Sequence, residues 1–348
     1  MLNDVVKKEK FKDVDLTDVF FESLKNDYPK FEEWFKKKGE NLAYVFRDEQ
    51  KKIQGFLYLK EEIEEDLSIE PVFEKQRRLK VGTFKINAHG TVLGDRFLSI
   101  ILRKFIEENY SMLYVTIFKK HVALITLFER FGFKKWGIKD NGELVYFKDL
   151  TLHDNIYTDF PRFKNTSQKK YLLAIQPQFH TQMFPDSKLK TEKSHCIEDL
   201  SFTNTVEKIY ITKMVGVPSL KPSDLLLIYR TAEPGKAARY SAVGTSICTV
   251  VEYKHIKDFS DLQSFLDYCG KGSIFSEQDL KRFWLHQTYP YIVKMLYNSP
   301  LQKRIVRHDL LKKVGLSEQG YQGFQEINDE QFNKILELGE VNEGYVIN

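Results

Sequence analysis

The groups best placed for chemistry in this sequence are backbone amides, in a stretch where a strand, a glycine turn and a helix follow one another. An alternating strand pattern runs over 79–86, and a turn with Gly90 and Gly94 comes next. The helix that follows has an apolar stripe at Phe97, Leu98, Ile101, Leu102 and Phe105. Successive N–H groups and the positive end of a helix dipole meet at such a junction. The stretch therefore predicts a cradle for an anion such as a phosphate.

The elements on both sides of this junction must position it. The opening segment predicts one or two amphipathic helices, followed by a hairpin with strands over 43–47 and 53–60. After the junction come a strand over 113–118, a second helix, and a hairpin around the turn at 141–142. Strand and helix patterns alternate, so we expect an α/β (α+β) fold with a mixed sheet flanked by helices.

Composition indicates an ordinary folded protein. The chain has 348 residues, a formal net charge of +4 and 42% hydrophobic residues, which fits two domains and excludes a disordered chain. This charge balance does not by itself indicate a nucleic-acid binder. No apolar run is long enough for a membrane helix and the first residues lack a signal-peptide core, so we expect a cytoplasmic protein. The widely spaced Cys196, Cys248 and Cys269 predict neither a disulfide framework nor a metal site.

Two stretches of the first half carry a likeness to a known family. FKINAHGTVLGDRFL is similar to the strand and pyrophosphate loop of an acetyl-CoA site, and ALITLFERFGF is similar to a helix that ends in a Gly-Phe pair. Through these two stretches, the chain resembles the GNAT N-acetyltransferase superfamily over roughly residues 10–150. The resemblance implies acetyl-CoA as cosubstrate and transfer of its acetyl group to an amine.

The resemblance also implies which residues hold the cosubstrate. Those at the strand end would pair with the pantetheine arm: Phe84, Lys85, Ile86 and Asn87. Those of the following loop would bind the pyrophosphate through backbone N–H groups: His89, Gly90, Thr91, Val92, Leu93, Gly94 and Asp95. Val92 stands where the family has its first glycine, and a Cβ there obstructs close approach of the backbone to phosphate.

Proton transfer is the second point at which the chain departs from the family pattern. Phe128 stands where many members have a tyrosine that protonates the departing thiolate, and phenylalanine cannot donate a proton. His121, at the start of the same helix, is either a general acid or cofactor ligand, or a solvent-facing helix cap. Glu70 is the candidate general base, with an exposed loop carboxylate as the other reading.

The second half has a different pattern. Short strands separated by Gly and Pro turns begin near Lys208, with helices over 258–268 and 276–286, which predicts a small β-barrel with helices outside it. The stretches KPSDLLLIYRT and AVGTSICTVVE resemble the PUA-like superfamily, which includes ASCH and EVE domains, over roughly 200–348. The resemblance implies binding of RNA or of modified bases.

Base stacking needs aromatic faces, and phosphate contacts need nearby cations. The residues that could supply them are Tyr229, Arg230, Tyr240, Lys271 and Trp284. Tyr229 and Trp284 also fit regular apolar patterns, which leaves core packing open for both. The Gly-Lys-Gly at 270–272 lacks the spacing of a Walker loop, so a nucleoside triphosphatase is disfavoured.

These patterns predict a GNAT-like domain over 1–150, a linker with one strand-like run over 151–200, and a PUA-like domain over 201–348. The expected function is acetyl-CoA-dependent N-acetyl transfer to an amine, with RNA or aminoacyl-tRNA presented by the second domain as the favoured acceptor. The other reading is a non-catalytic protein that binds nucleic acid or a partner, related to toxin–antitoxin systems, with a degenerate GNAT domain.

Overall fold

The computed structural model of the protein describes residues 6–48, 50–87, 93–184, 205–270, 273–319 and 321–347. These residues form two compact units, one ending at His153 and one beginning at Asp154. None of the described helices combines the length and apolar character that crossing a bilayer requires.

The N-terminal unit contains eight strands and four helices among its described residues. The strands are β1 Val6–Lys10, β2 Leu42–Arg47, β3 Ile53–Glu62, β4 Ile69–Glu70, β5 Arg78–Ile86, β6 Met112–Ile117, β7 Phe133–Lys139 and β8 Leu144–Lys148. The helices are α1 Glu22–Asp27, α2 Phe31–Lys37, α3 Leu93–Glu107 and α4 Val122–Arg130.

These strands form one mixed sheet in the order β1-β2-β3-β5-β6-β8-β7-β4. Its neighbours are antiparallel except for β5 and β6, which are parallel and are connected through α3. A parallel pair needs a crossover that returns the chain to the same end of the sheet. Helix α3 is that crossover, and its apolar stripe packs against the sheet. The predicted hairpins are confirmed as β2/β3 and β7/β8. The strand and the helix of the predicted junction are confirmed as β5 and α3, and the turn between them lies outside the described residues.

Aromatic rings pack on both faces of this sheet. Phe11 packs edge-to-face on Phe56 of β3, with 5.4 Å between ring centroids. The preceding residue of β3, Gly55, faces α3 instead, because a Cβ on it would lie 2.4 Å from Cε2 of Phe97. Successive strand residues point to opposite faces. The α1–α2 layer and the α3 layer therefore cover opposite faces of the sheet, and glycine at position 55 allows α3 its close approach.

The C-terminal unit also combines strands and helices. The strands are β9 Phe163–Lys164, β10 Lys170–Ile175, β11 Glu207–Thr212, β12 Leu225–Arg230, β13 Val243–His255, β14 Tyr291–Val306, β15 Phe324–Ile327 and β16 Val346–Ile347. The helices are α5 Ile156–Asp159, α6 Pro177–Met183, α7 Ala238–Ser241, α8 Leu262–Gly270, α9 Glu277–His286, α10 Arg307–Lys312 and α11 Asp329–Leu338.

Six of these strands form a mixed sheet in the order β11-β14-β13-β12-β10-β15. The strands and helices expected for the small barrel are present in this unit. The two end strands of the sheet, β11 and β15, share no ladder among the described residues. Strand β10 pairs in parallel with β12 and antiparallel with β15. The segment expected to be a linker thus supplies an interior strand of the C-terminal sheet, because β10 is paired on both sides. All six of its residues are buried, and Tyr171, Leu173 and Ile175 belong to the core of this unit.

Polar side chains are buried in this second core. His180 of α6 is fully buried, and its Nε2 lies 2.8 Å from Oγ1 of Thr245. Burial, assisted by the charges of Arg230 and Arg304, lowers the pKa of His180 to about 3, so the ring is neutral at pH 7. Of the three cysteines, Cys248 and Cys269 are buried thiols, and Cys196 lies outside the described residues.

Candidate active site

The parallel strands β5 and β6 separate at their carboxyl ends. Their ladder joins Arg78–Val81 to Met112–Val115 and stops there. Strand β5 continues over Gly82–Ile86 while still paired with β3, and β6 continues to Ile117 while still paired with β8. Among the described residues no strand fills the wedge between them. Backbone groups of Gly82–Ile86 that point away from β3 therefore face an opening.

A cleft of about 1370 Å³ lies at this wedge. Helix α3 begins just beyond the end of β5 and α4 just beyond the end of β6, and residues from the first turn of each helix line the cleft. Both helix N-termini direct partial positive charge toward it. The volume exceeds that of a typical site for one drug-sized ligand, about 300–1,000 Å³, so the cleft can hold a long cosubstrate together with an acceptor.

The wall formed by α3 and α4 is apolar. Ile86, Gly94 and Leu127 all line it, and a Cβ on Gly94 would lie 3.0 Å from Cδ2 of Leu127. Phe84 packs edge-to-face on Phe128 at 5.8 Å, and Phe128 is fully buried. Phe128 therefore belongs to the core beside the cleft.

The opposite wall contains a cluster of charged groups. Glu62 lines the cleft near the end of β3, where its Oε1 lies 2.7 Å from Nζ of Lys60 and 3.8 Å from Nζ of Lys80. The hydroxyl of Tyr114 donates a hydrogen bond to Oε2. Burial alone would raise the pKa of Glu62, but these hydrogen bonds and lysine charges hold it below its ordinary value. Glu62 is therefore ionised and is a weak proton acceptor.

A second polar pair lies where β6 ends. Tyr28, between α1 and α2, donates a hydrogen bond from its hydroxyl to Oε1 of Glu143, with 2.5 Å between the oxygens. Nδ2 of Asn141 donates to Oε2 of Glu143 at 2.9 Å, and the Tyr28 ring packs on Phe118 at 5.4 Å. Burial, together with the Glu143 carboxylate, raises the pKa of Tyr28. The phenol thus keeps its proton and points it at a carboxylate.

Asp27, next to this pair, connects α1 to the start of α4. Its carboxylate accepts a hydrogen bond from Nζ of Lys120, and Oδ2 lies 3.4 Å from Nε2 of His121. His121 is the N-cap residue of α4, but its side chain accepts no capping hydrogen bond. Its imidazole lines the cleft and faces a carboxylate.

Six of the residues predicted to hold the cosubstrate line the cleft. They are Phe84, Lys85, Ile86, Asn87, Gly94 and Asp95. The side chain of Lys85 ties α1 to β5, because Nζ donates to Oγ of Ser23 at 2.6 Å and to the carbonyl of Phe20. Leu93 is buried and does not line the cleft. The other predicted loop residues lie outside the described residues: His89, Gly90, Thr91 and Val92.

The two predicted proton-transfer residues have different locations. His121 is in the cleft, as stated above. Glu70 is exposed on the two-residue edge strand β4, which pairs with β7, and it does not line the cleft. The carboxylates that do line it are Asp27, Glu62, Asp95 and Glu143. Glu70 is therefore replaced as the candidate base, because its strand lies at the far edge of the sheet from β5.

Of the residues predicted to bind nucleic acid, those that the structure describes do not form one exposed surface. Tyr229 and Arg230 are buried, and Arg230 pairs with Glu233 at 3.0 Å. Trp284 packs on Phe265 at 5.6 Å, within a second core cluster. Tyr240 is exposed, and Lys271 lies outside the described residues. A buried ring offers no face on which a base could stack. Tyr229 is therefore a core residue and is removed from the set predicted to bind nucleic acid.

Tyr28, Glu143 and Lys80 are cleft residues that sequence reasoning did not single out. Tyr28 and Glu143 are 115 positions apart, and each sits in an ordinary turn sequence. Lys60, Glu62 and Lys80 read as the polar residues of alternating strands. Only the alternation itself, which puts Lys60 and Glu62 on one strand face, could have signalled a cluster. Among the described residues no group of three or more His, Cys, Asp or Glu could hold a metal ion.

No protein-family model matches the chain, and no curated protein matches it significantly. Among solved structures, ASCH from Zymomonas mobilis is 13% identical and aligns over 49% of this chain and 95% of its own, with a TM-score of 0.32. The N-acetyltransferase PseH of Campylobacter jejuni is 16% identical over 41% of this chain and 96% of its own, at a TM-score of 0.26. Arabidopsis thaliana NAA60, in complex with a bisubstrate analogue, is 10% identical and aligns over 36% of this chain and 87% of its own, with a TM-score of 0.29. Similarity at this level does not establish a common fold.

Proposed function

We propose that the N-terminal unit is an acyl-CoA-dependent N-acyltransferase that transfers an acetyl group from acetyl-CoA to a primary amine. The observation that carries the proposal is the wedge between β5 and β6, where the parallel ladder ends at Val81 and Val115 although both strands continue. A chain with amide groups can extend the β5 ladder there without displacing another strand. The sequence resemblance of residues 10–150 to GNAT proteins supports the same assignment.

The residues of the cleft fit acetyl-CoA. The open edge of Gly82–Ile86 offers backbone N–H and C=O groups for the amides of a pantetheine arm. Apolar contact would come from Ile86, Leu124 and Leu127, and the two helix N-termini favour a polyanion at the mouth. When bound, acetyl-CoA supplies a thioester whose carbonyl carbon an amine can attack.

Tyr28 and Glu143 are the proposed proton-transfer pair. The Tyr28 hydroxyl donates to Glu143, so its oxygen can accept a proton from an amine while its own hydrogen passes to the carboxylate. In the net reaction a C–N bond forms, the thioester C–S bond breaks, and the proton lost by nitrogen ends on the departing sulfur through the same pair. This assignment needs no tyrosine at position 128 and no carboxylate at position 70.

Binding of acetyl-CoA to the full chain tests the proposal. We expect isothermal titration calorimetry to give saturable binding, and we expect release of free thiol when a mixture of primary amines is added. Desulfo-CoA, which has no sulfur to release, is the control for background signal in the thiol assay. Failure of acetyl-CoA to bind, even at high concentration, would overturn the transferase proposal in favour of a non-catalytic unit.

An RNA or aminoacyl-tRNA acceptor is the finer form of this proposal, and it depends on the resemblance of residues 200–348 to PUA-like domains. Tyr229 is buried, and Trp284 is partly buried with its ring packed on Phe265. If the acceptor is a nucleic acid, filter binding of total RNA should fall steeply as salt concentration rises, because phosphate contacts release counterions. Retention that is absent, or independent of salt, would restrict the acceptor to small amines or proteins.

A further inference from the structure

Two lysines face the cleft from directly opposite positions on neighbouring strands. Lys60 of β3 is the register partner of Lys80 of β5, and both line the cleft. Like charges directly opposite each other in a sheet destabilise it. The sheet therefore carries an unfavourable pair at a site where it also opens to solvent, and an anion placed between the two ammonium groups would remove the repulsion.

The carboxylate beside the lysines does not balance them. Glu62 contacts Lys60 and Lys80 through the same oxygen, at 2.7 and 3.8 Å, and its other oxygen accepts the Tyr114 hydroxyl. The nearby Asp66 has a lysine of its own, Lys139, at 3.8 Å. The cluster thus has one more cation than carboxylate.

Lys80 is the more constrained of the two cations. Its side chain is only 17% exposed, and burial lowers its pKa. A partly buried ammonium with an incomplete counter-charge is unfavourable unless a further anion pairs with it. The Lys60 side chain is 44% exposed, so an incoming group can reach the pair from the cleft.

We propose that the acceptor amine carries an anionic group, a carboxylate or a phosphate, that binds between Lys60 and Lys80. The proposal rests on the proposed acyltransferase function and names its substrate class. Lys80 is level with Tyr114 on β6, and Glu143 immediately precedes the partner of Ile117, three residues further along. Glu143 is thus level with the fourth residue beyond Tyr114, and at about 3.3 Å per residue the anion site and the Tyr28–Glu143 pair are separated by roughly 13 Å along the strands. The acceptor therefore has its amine and its anion well separated.

An anion site in this cleft could instead hold a phosphate of the cosubstrate. The two sources differ in which Michaelis constant the lysines control. An acceptor site makes removal of the lysines raise the KM for the acceptor, whereas a cosubstrate site raises the KM for acetyl-CoA. Free CoA should compete with a small anion only in the second case.

The experiment compares the full chain with two double variants of equal charge change. Lys60→Gln with Lys80→Gln removes the pair, and Lys7→Gln with Lys135→Gln removes two exposed lysines that do not line the cleft. Glutarate, which has no amine, is titrated by calorimetry into each protein with and without saturating CoA. We expect binding to the parent and the control in both conditions, and roughly tenfold weaker binding to the cleft variant.

Turnover is then measured with straight-chain ω-amino carboxylates of increasing length, each paired with its ω-amino carboxamide. We expect the carboxylate to be preferred by about tenfold in kcat/KM, with an optimum length, and the preference to vanish in the cleft variant. Circular dichroism and Tm confirm folding, and Lys60→Gln alone replaces the double variant if that one does not fold.

Equal glutarate affinity in parent and cleft variant, competition between CoA and glutarate, or equal turnover of carboxylates and carboxamides would each overturn the inference. In all three cases binding of CoA would leave the proposed function intact. Glutarate binding without any binding of CoA would overturn the acyltransferase proposal and, with it, the acceptor assignment.

Discussion

Replacing Tyr28 with phenylalanine is expected to lower kcat about 100-fold, because general acid–base groups contribute at least that much. The change removes only the hydroxyl that donates to Glu143 at 2.5 Å, and the ring can keep its contact with Phe118. The Kd of acetyl-CoA should therefore not change. Glu143→Gln retains a hydrogen-bond acceptor but loses the charge, and we expect a similar loss of kcat. Steady-state kinetics with calorimetry separates the effect on turnover from the effect on binding.

Tyr110→Phe is the matched control for this prediction. Its hydroxyl also donates to a glutamate, Glu108, at 3.1 Å, but Tyr110 does not line the cleft. Parent-like kcat in Tyr110→Phe and a large loss in Tyr28→Phe would assign the effect to the cleft. A Tyr28→Phe protein with parent-like kcat would remove the pair from the mechanism and leave His121 and the other cleft carboxylates as candidates for proton transfer.

Replacing Gly94 with leucine is expected to weaken acetyl-CoA binding strongly. A Cβ at this position already lies 3.0 Å from Cδ2 of Leu127 and 3.5 Å from Cδ1 of Ile86, so a larger side chain must occupy the cleft between α3 and α4. Acetyl-CoA can bind only if this side chain is pushed into packed surroundings, a strain of about 1–3 kcal/mol in the complex, which corresponds to roughly 5–150-fold in Kd. Calorimetric titration of acetyl-CoA measures the loss directly.

Gly94→Ala is the control, because a single methyl needs only a small shift of the flexible end of Leu127. We expect it to bind acetyl-CoA much better than the leucine variant does. Leucine is a good helix former, so α3 should persist in both, and matching Tm values would show that the cleft and not the fold is affected. Unchanged affinity in Gly94→Leu would place the cosubstrate away from the start of α3.

The local elements of the N-terminal unit could be predicted because their signals are local. The alternation over 79–86, the glycines after it and the apolar stripe of α3 lie within one short segment, and the structure has a strand followed by a helix there. The Asn-Gly turn likewise predicted the hairpin of β7 and β8. Six predicted cosubstrate residues line the cleft for the same reason, since they follow one another on the strand and at the start of the helix.

The sequence alone thus indicated the main strands and helices of the N-terminal unit and the junction between β5 and α3 that lies at the cleft. Tertiary structure decided the rest, because side chains far apart in the chain meet only when the sheet is assembled. Tyr28 reaches Glu143 across 115 positions, Lys60 and Lys80 meet through strand register, and Glu70 goes to an edge strand. The wedge arises because β5 and β6 stop pairing with each other before either stops pairing with its other neighbour, β3 or β8. No single strand pattern encodes such a mismatch, since pairing depends on every neighbouring strand at once.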